Sequence, residues 1–282
     1  LGMAQSALRR LDSALESFQR AAMINPNDVW AWYNQGDTLL QLGRRDEALA
    51  MLQRAINADP SHAESWAKLG QAQRLDGQFE ASLAAYDRAL SFQPAYGWAW
   101  NGRGLALEKL GRREEAIASY ERAIAEDAHI IWYRNNLVDV LLETGRVDAA
   151  LRASQAAVDA MPDEATAWAR LGMAQRRAAL NAEAVDSYRR AVTRDPAYGW
   201  AWNGLGLAHL ALNAHEDAAA AFERATRCSP NDVWYWRNLG DALMMSEDFA
   251  AAAEAFERAL SLEPDHVSTR LKLKMANEAS DE

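Results

Sequence analysis

Apolar residues along this chain recur at spacings of three and four, in two consecutive runs with a break between them. The double run returns every 34 residues. That spacing predicts pairs of amphipathic α-helices, since a half-buried strand would instead alternate apolar and polar residues. The break carries Gly43, Gly77, Gly111 and Gly145, suited to the left-handed residue that closes a helix. A proline follows the second run. Pro26, Pro60, Pro94, Pro162, Pro196, Pro230 and Pro264 share one 34-residue grid, whose vacant point is Ala128. Beyond the prolines, Asn27-Asp28, Ser61, Asp163 and Asn231-Asp232 read as N-caps of the next helix.

Other columns keep this phase. Six residues after the prolines come Trp32, Trp66, Trp100, Trp168, Trp202 and Trp236, with Arg134 as the exception. Four further on come Gly36, Gly70, Gly104, Gly172, Gly206 and Gly240, with Val138 as the exception. A small residue recurs from Ala48 to Ala252, and Leu52, Tyr86, Tyr120, Tyr188, Phe222 and Phe256 follow four later, with Ser154 out of pattern. A Trp, a Leu-Gly pair, an Ala, an aromatic, an Ala and a Pro in this order resemble the tetratricopeptide repeat. The resemblance covers nearly the whole chain. It implies an all-α, right-handed superhelical solenoid of helix-turn-helix repeats, in which stacked neighbours complete a core that one repeat cannot close alone.

On that grid residues 29–266 hold seven full repeats, beginning at 29, 63, 97, 131, 165, 199 and 233. Residues 1–28 read as a partial repeat whose first helix is truncated, with Leu1-Gly2 matching the Leu-Gly pair. Residues 267–282 read as a capping helix and tail, in which Val267, Leu271 and Met275 are expected to cover the last repeat. The fourth repeat departs at Ala128, Arg134, Val138 and Ser154, through drift or through a local change of pitch where a partner sits.

A second period overlies the first. The nine residues from Pro94 to Gly102 recur unchanged at 196–204, which is 102 residues later, and Pro26 to Trp30 recur at 230–234. Repeats therefore come in threes, as duplication of a three-repeat block would leave them. In the proteins this chain resembles, positions 2, 5, 9, 12 and 13 of the first helix line a concave surface. Carried over, position 2 gives Trp30, Trp98, Trp132, Trp200 and Trp234, and position 9 gives Asp37, Asp139 and Asp241. Position 5 gives Asn101, Asn135, Asn203 and Arg237, and the second and fifth repeats add Arg74, Arg176 and Arg177. The resemblance thus implies a groove of aromatic faces, amides and alternating charge, with Trp and Arg where binding energy concentrates. The opposite reading of position 2 packs each Trp against its neighbouring repeat. Asn34, Asn136 and Asn238 at position 6 identify little, because an Asn there is common in the family.

The net charge of −10 disfavours nucleic acid as the main ligand, since phosphate backbones reward basic surfaces. No apolar run approaches the roughly 20 residues a membrane-spanning helix needs. The single cysteine, Cys228, precludes an intrachain disulfide, fits a reducing compartment, and reads as a buried small apolar residue. We therefore expect a cytoplasmic protein. His62, His129, His209, His215 and His266 show no zinc spacing, and no base accompanies Cys228. The glycines at 102–104 fall inside a predicted helix with no strand before them, so the phosphate-loop reading fails on context. No catalytic constellation, cofactor site or metal site emerges.

The expectation is a protein-interaction scaffold holding a peptide or protein segment in its concave groove. The alternative is the recognition arm of a larger enzyme or signalling protein, such as a glycosyltransferase or a nucleotide-driven sensor, lying N-terminal to this segment. Self-association through the N-terminal edge is a third possibility.

Overall fold

The computed structural model describes residues 2–281, and among them it holds seventeen α-helices and no strand. Leu1, half of the expected Leu-Gly pair, lies outside the described residues. A short helix α1 (Gly2–Ala7) is followed by α2 (Leu11–Ile24). Seven helix pairs come next. Their first members are α3 (Val29–Gln41), α5 (Ala63–Leu75), α7 (Gly97–Lys109), α9 (Ile131–Glu143), α11 (Ala165–Arg177), α13 (Gly199–Ala211) and α15 (Val233–Met245). Their second members are α4 (Arg45–Ala58), α6 (Phe79–Phe92), α8 (Arg113–Glu126), α10 (Val147–Ala160), α12 (Asn181–Arg194), α14 (His215–Cys228) and α16 (Phe249–Leu262). α17 (Val267–Ser280) ends the chain of helices. The chain forms two compact units, Leu1–Tyr133 and Arg134–Glu282, divided within α9.

The repeating columns have direct structural causes. The position-8 glycines make room for the ring or branched side chain of the same pair's second helix. A Cβ on Gly104 would lie 2.5 Å from the Tyr120 ring, and one on Gly240 would lie 2.5 Å from the Phe256 ring. The Trp and Pro columns are coupled through a hydrogen bond. The indole Nε1–H of Trp32, Trp66, Trp100, Trp168, Trp202 and Trp236 each donates to the carbonyl of the proline six residues earlier, at 2.7–2.9 Å. The turn is thereby tied to the helix it feeds. In α17 the Trp is replaced by Arg270, whose guanidinium donates to the Pro264 carbonyl at 2.8 Å and keeps the tie.

In the first unit the core is built from Leu52, Ile56, Leu69 and Ala72, continuing to Ala67, Tyr86, Leu90 and Ala99. In the second, Tyr188, Phe222 and Phe256 are centres of successive clusters. All three of these rings are 1 % exposed or less.

Three expectations are corrected. Asp28 and Asp232 do cap their helices, but Asn27, Ser61 and Asp163 do not. His62 caps α5 instead, its Nδ1 accepting from the Ser65 amide at 3.2 Å, while Ser61 bonds back to Asp59. His266 caps α17 in the same way. Val267, Leu271 and Met275 do not cover the last repeat, being 76 %, 60 % and 50 % exposed. Their stripe occupies positions 1, 5 and 9, which in α11 face the following repeat, where Ala169 and Met173 meet Ala201 and Leu205. The residues of α17 that turn back onto α16 are Leu273 and Ala276. Cys228 is half-buried rather than buried, with its thiol 3.6 Å from the Pro196 carbonyl.

The turn inside each pair takes a left-handed residue. Gly43, Gly77, Gly111 and Gly145 adopt φ of 72–79°, and Ala179, Asn213 and Glu247 hold the same place at 58–63°. For Ala and Glu that conformation costs roughly 1–2 kcal/mol. Ala179→Gly and Glu247→Gly are each expected to stabilise the second unit by about 1 kcal/mol. Thermal unfolding checks this, and an unchanged or lower midpoint in both variants would refute the strain.

Candidate functional site

The aromatic residues at position 2 of the first helices divide into two classes. Trp30, Trp132 and Trp234, which are 102 residues apart, are 52 %, 51 % and 67 % exposed. Trp98 and Trp200 are half-buried in their clusters. The difference lies in the residues around them. Trp98 stands edge-on to Tyr86 and beside Tyr96, with ring centroids 6.2 and 5.9 Å away. Trp200 meets Tyr188 and Tyr198 in the same way, at 6.4 and 5.8 Å. Trp30 has one exposed face and rests edge-on against His62 at 4.6 Å and Tyr33 at 5.6 Å. Trp234 carries the Arg237 guanidinium 5.4 Å from its centroid.

The acidic residues at position 9 are not free. Asp37 pairs with Lys68 at 2.8 Å, Asp139 with Arg170 at 2.8 Å, and Asp241 with Lys272 at 2.6 Å. Each partner is position 6 of the following first helix. Two of these cations also cover a tryptophan face: Lys68 lies 4.9 Å from the Trp98 centroid and Arg170 lies 4.6 Å from that of Trp200. Sequence reasoning missed Lys68, Arg170 and Lys272. Their own spacing of 102 was the signal that could have found them. In each unit these positions therefore carry paired acids and bases, not alternating free charge.

Arg74 and Arg176 are half-buried and reach the hydroxyls of Tyr86 and Tyr188. Burial pushes both phenols up to about 12, so they stay protonated. The Nε of each arginine has no hydrogen-bond partner, and neither has the amide oxygen of Asn135. Asn101 and Arg237 are buried rather than lining an open surface, and Arg237 is ion-paired with Glu263. Asn203 accepts from the Asn238 amide at 2.8 Å, while Asn34 donates to its own helix at the Trp30 carbonyl. Arg177 is exposed.

Desolvation raises the Asp139 carboxyl above its ordinary 3.8, and Arg170 opposes the rise. A carboxyl raised in the folded state favours folding when protonated, and that contribution is lost as pH climbs from 3.8 through the folded value. Arg170→Met is expected to raise the Asp139 pKa further and to lower neutral-pH stability relative to acid. Carbon NMR titration of the Asp139 carboxyl reads the shift directly, and a fall or no change would contradict the pairing.

Among the described residues no group of three His, Cys, Asp or Glu side chains is placed to hold a metal ion. Among the described residues no helix is long and apolar enough to cross a membrane. Tetratricopeptide-repeat sequence profiles match residues 1–44, 33–97, 97–129, 135–199, 181–233 and 233–266. The chain belongs to the tetratricopeptide-repeat family. Comparison with curated protein sequences gives no match.

Solved structures place the tetratricopeptide fold on firm ground. The APC/C hetero-tetramer Cut9-Hcn1 is similar over 94 % of this chain and 52 % of its own, at 16 % identity and a TM-score of 0.65. Yeast Tom70 matches over 96 % and 58 %, at 15 % identity and 0.65. YrrB, a TPR protein with an unusual peptide-binding site, matches over 66 % and 96 %, at 21 % identity and 0.53. The chain spans about half the length of the first two. At these identities the likeness shows the fold alone.

Proposed function

We propose that this tetratricopeptide-repeat chain binds peptide segments of partner proteins along its first helices, with Trp30 and Trp132 as anchors on the first unit and Trp234, separately, as an anchor on the second. The observation that supports this is the exposure of those three indoles on the position-2 face, each above 50 %. A large exposed aromatic on a stiff helix offers contact area at little entropic cost, and tryptophan is enriched among residues that dominate binding energy. The paired Asp37–Lys68 and Asp139–Arg170 groups flank the same positions and supply polar contacts that need no further neutralisation. Trp98 and Trp200 belong to the support of that face, through the tyrosines and cations packed on them.

The test is an affinity pull-down from source lysate with the full chain, read by mass spectrometry. Trp30→Ala/Trp132→Ala/Trp234→Ala is expected to lose the partner while keeping wild-type circular dichroism. A hot-spot truncation costs about 2 kcal/mol or more, roughly 30-fold per anchor. An unchanged partner list from the folded triple variant would move the interface off this face.

A further inference from the structure

A second surface lies on the other helices of the second unit. α14 and α16 are each joined to α15 by a short turn, so both run antiparallel to it and parallel to one another. Between them lies an open trough of about 660 Å3, floored by Trp236, Leu239 and Leu243 of α15 and walled by alanines such as Ala219 and Ala255.

Two departures from the repeat open it. The column that holds Leu49, Leu83, Ile117, Leu151 and Val185 in five repeats holds Ala219 here. The column of Ile56, Leu90, Ile124, Val158 and Val192 holds Thr226. Leu83, Ile117 and Val185 are buried where they occur, as are Ile56, Leu90, Val158 and Val192. Apolar surface left open to water forgoes the stabilisation that covering it would bring. Here the chain leaves the trough open where its own sequence offers the filling residue five times over.

The rim is ordered as well. On α14 Glu223 precedes Arg227 by one turn, and on α16 Glu254 precedes Arg258 by one turn. All four are exposed, and Glu223 and Arg227 pair at 2.5 Å. Parallel walls with the same acid-to-base order make each side of the trough run from negative to positive in the chain direction.

We propose that this trough holds an amphipathic α-helix of a partner protein, antiparallel to α14 and α16, with an aliphatic stripe against Trp236 and, on each flank, a Glu four residues before a Lys. An extended segment would bring unpaired backbone N–H and C=O groups onto an apolar floor, whereas a helix satisfies its own. Antiparallel entry sets the ligand's two Glu against Arg227 and Arg258 and its two Lys against Glu223 and Glu254. It also opposes the helix dipoles, and Glu before Lys at that spacing is the order that stabilises a free helix. The alanine walls let the incoming backbone approach closely.

The probe is a fluorescein-labelled Ala/Leu helix of about 16 residues, long enough to fold alone, carrying that Glu and Lys on each flank. It is titrated against the full chain by fluorescence anisotropy. Saturable binding is expected, at least about tenfold weaker for Ala219→Leu/Thr226→Val and for a peptide with both Lys changed to Glu. The filled variant should melt above wild type, which shows that it folds, and Trp30→Ala/Trp132→Ala/Trp234→Ala should bind the probe as wild type does. Equal affinity for wild type and filled variant, equal affinity of the all-acidic peptide, or no saturable binding to wild type overturns the proposal. So does sedimentation showing wild-type dimers that the filled variant abolishes, which would make a second copy the occupant.

Discussion

Truncation of Tyr188 to alanine is expected to destabilise the second unit by about 3–5 kcal/mol, the cost of emptying a fully buried aromatic site. The ring is 1 % exposed and lies between two glycines. A Cβ on Gly172 would approach it to 2.9 Å and one on Gly204 to 2.3 Å. Neither glycine has a side chain that could move into the space left behind, so the cavity would persist. The edge-on contact with Trp200 would also go, along with the hydroxyl that Arg176 reaches. Tyr188→Phe separates these effects, because it keeps the ring and removes a single hydrogen bond worth about 1–1.5 kcal/mol. Urea unfolding of the three proteins measures both. If Tyr188→Ala costs no more than Tyr188→Phe, the glycine-lined ring is not what holds the repeats together.

The second large effect comes from adding atoms at the same place. Gly204→Ala inserts a methyl 2.3 Å from the Tyr188 ring, and the ring is held on its other side by Gly172. Overpacking of this kind typically costs about 1–3 kcal/mol. Helix propensity pulls the opposite way, since Ala is favoured over Gly inside a helix by about 1 kcal/mol. The net sign therefore reports the clash. In a Tyr188→Leu background the ring is absent, and Gly204→Ala is expected to become neutral or stabilising. Such non-additivity between touching residues is what a double-mutant cycle detects. Equal costs of Gly204→Ala in both backgrounds would show that the methyl is accommodated elsewhere. Gly102 and Tyr86 repeat the arrangement in the first unit, again with 2.3 Å between a Cβ and the ring.

The helix pairs were legible because every one of their determinants is local and recurs. Three-four apolar spacing, a break with Gly43 or its equivalents, and a proline after the second run recur in one phase, and the helices follow them within a residue or two. The caps were less legible. Asp28 could be read, but His62 and His266 could not, because an imidazole acting as an acceptor at a helix start has no compositional signature. The outward face of α17 is not legible in the sequence for a different reason. Its apolar stripe has the right residues, and only the phase relative to α16 decides whether they face inward.

The candidate site shows the same division. The sequence by itself determined the family, the helix pairs, the 102-residue order and the residue types at each first-helix position, because each of these is a periodicity along the chain. Tertiary structure alone decided which position-2 tryptophans stay exposed. Trp98 and Trp200 are covered by tyrosines from a neighbouring helix and by cations one repeat earlier, whereas Trp30 and Trp234 lack such cover on one face. It also decided that Asp37, Asp139 and Asp241 are neutralised by position 6 of the next repeat. Burial and ion pairing depend on what a side chain meets across some thirty residues of sequence, and a one-dimensional pattern carries the residue but not its neighbour.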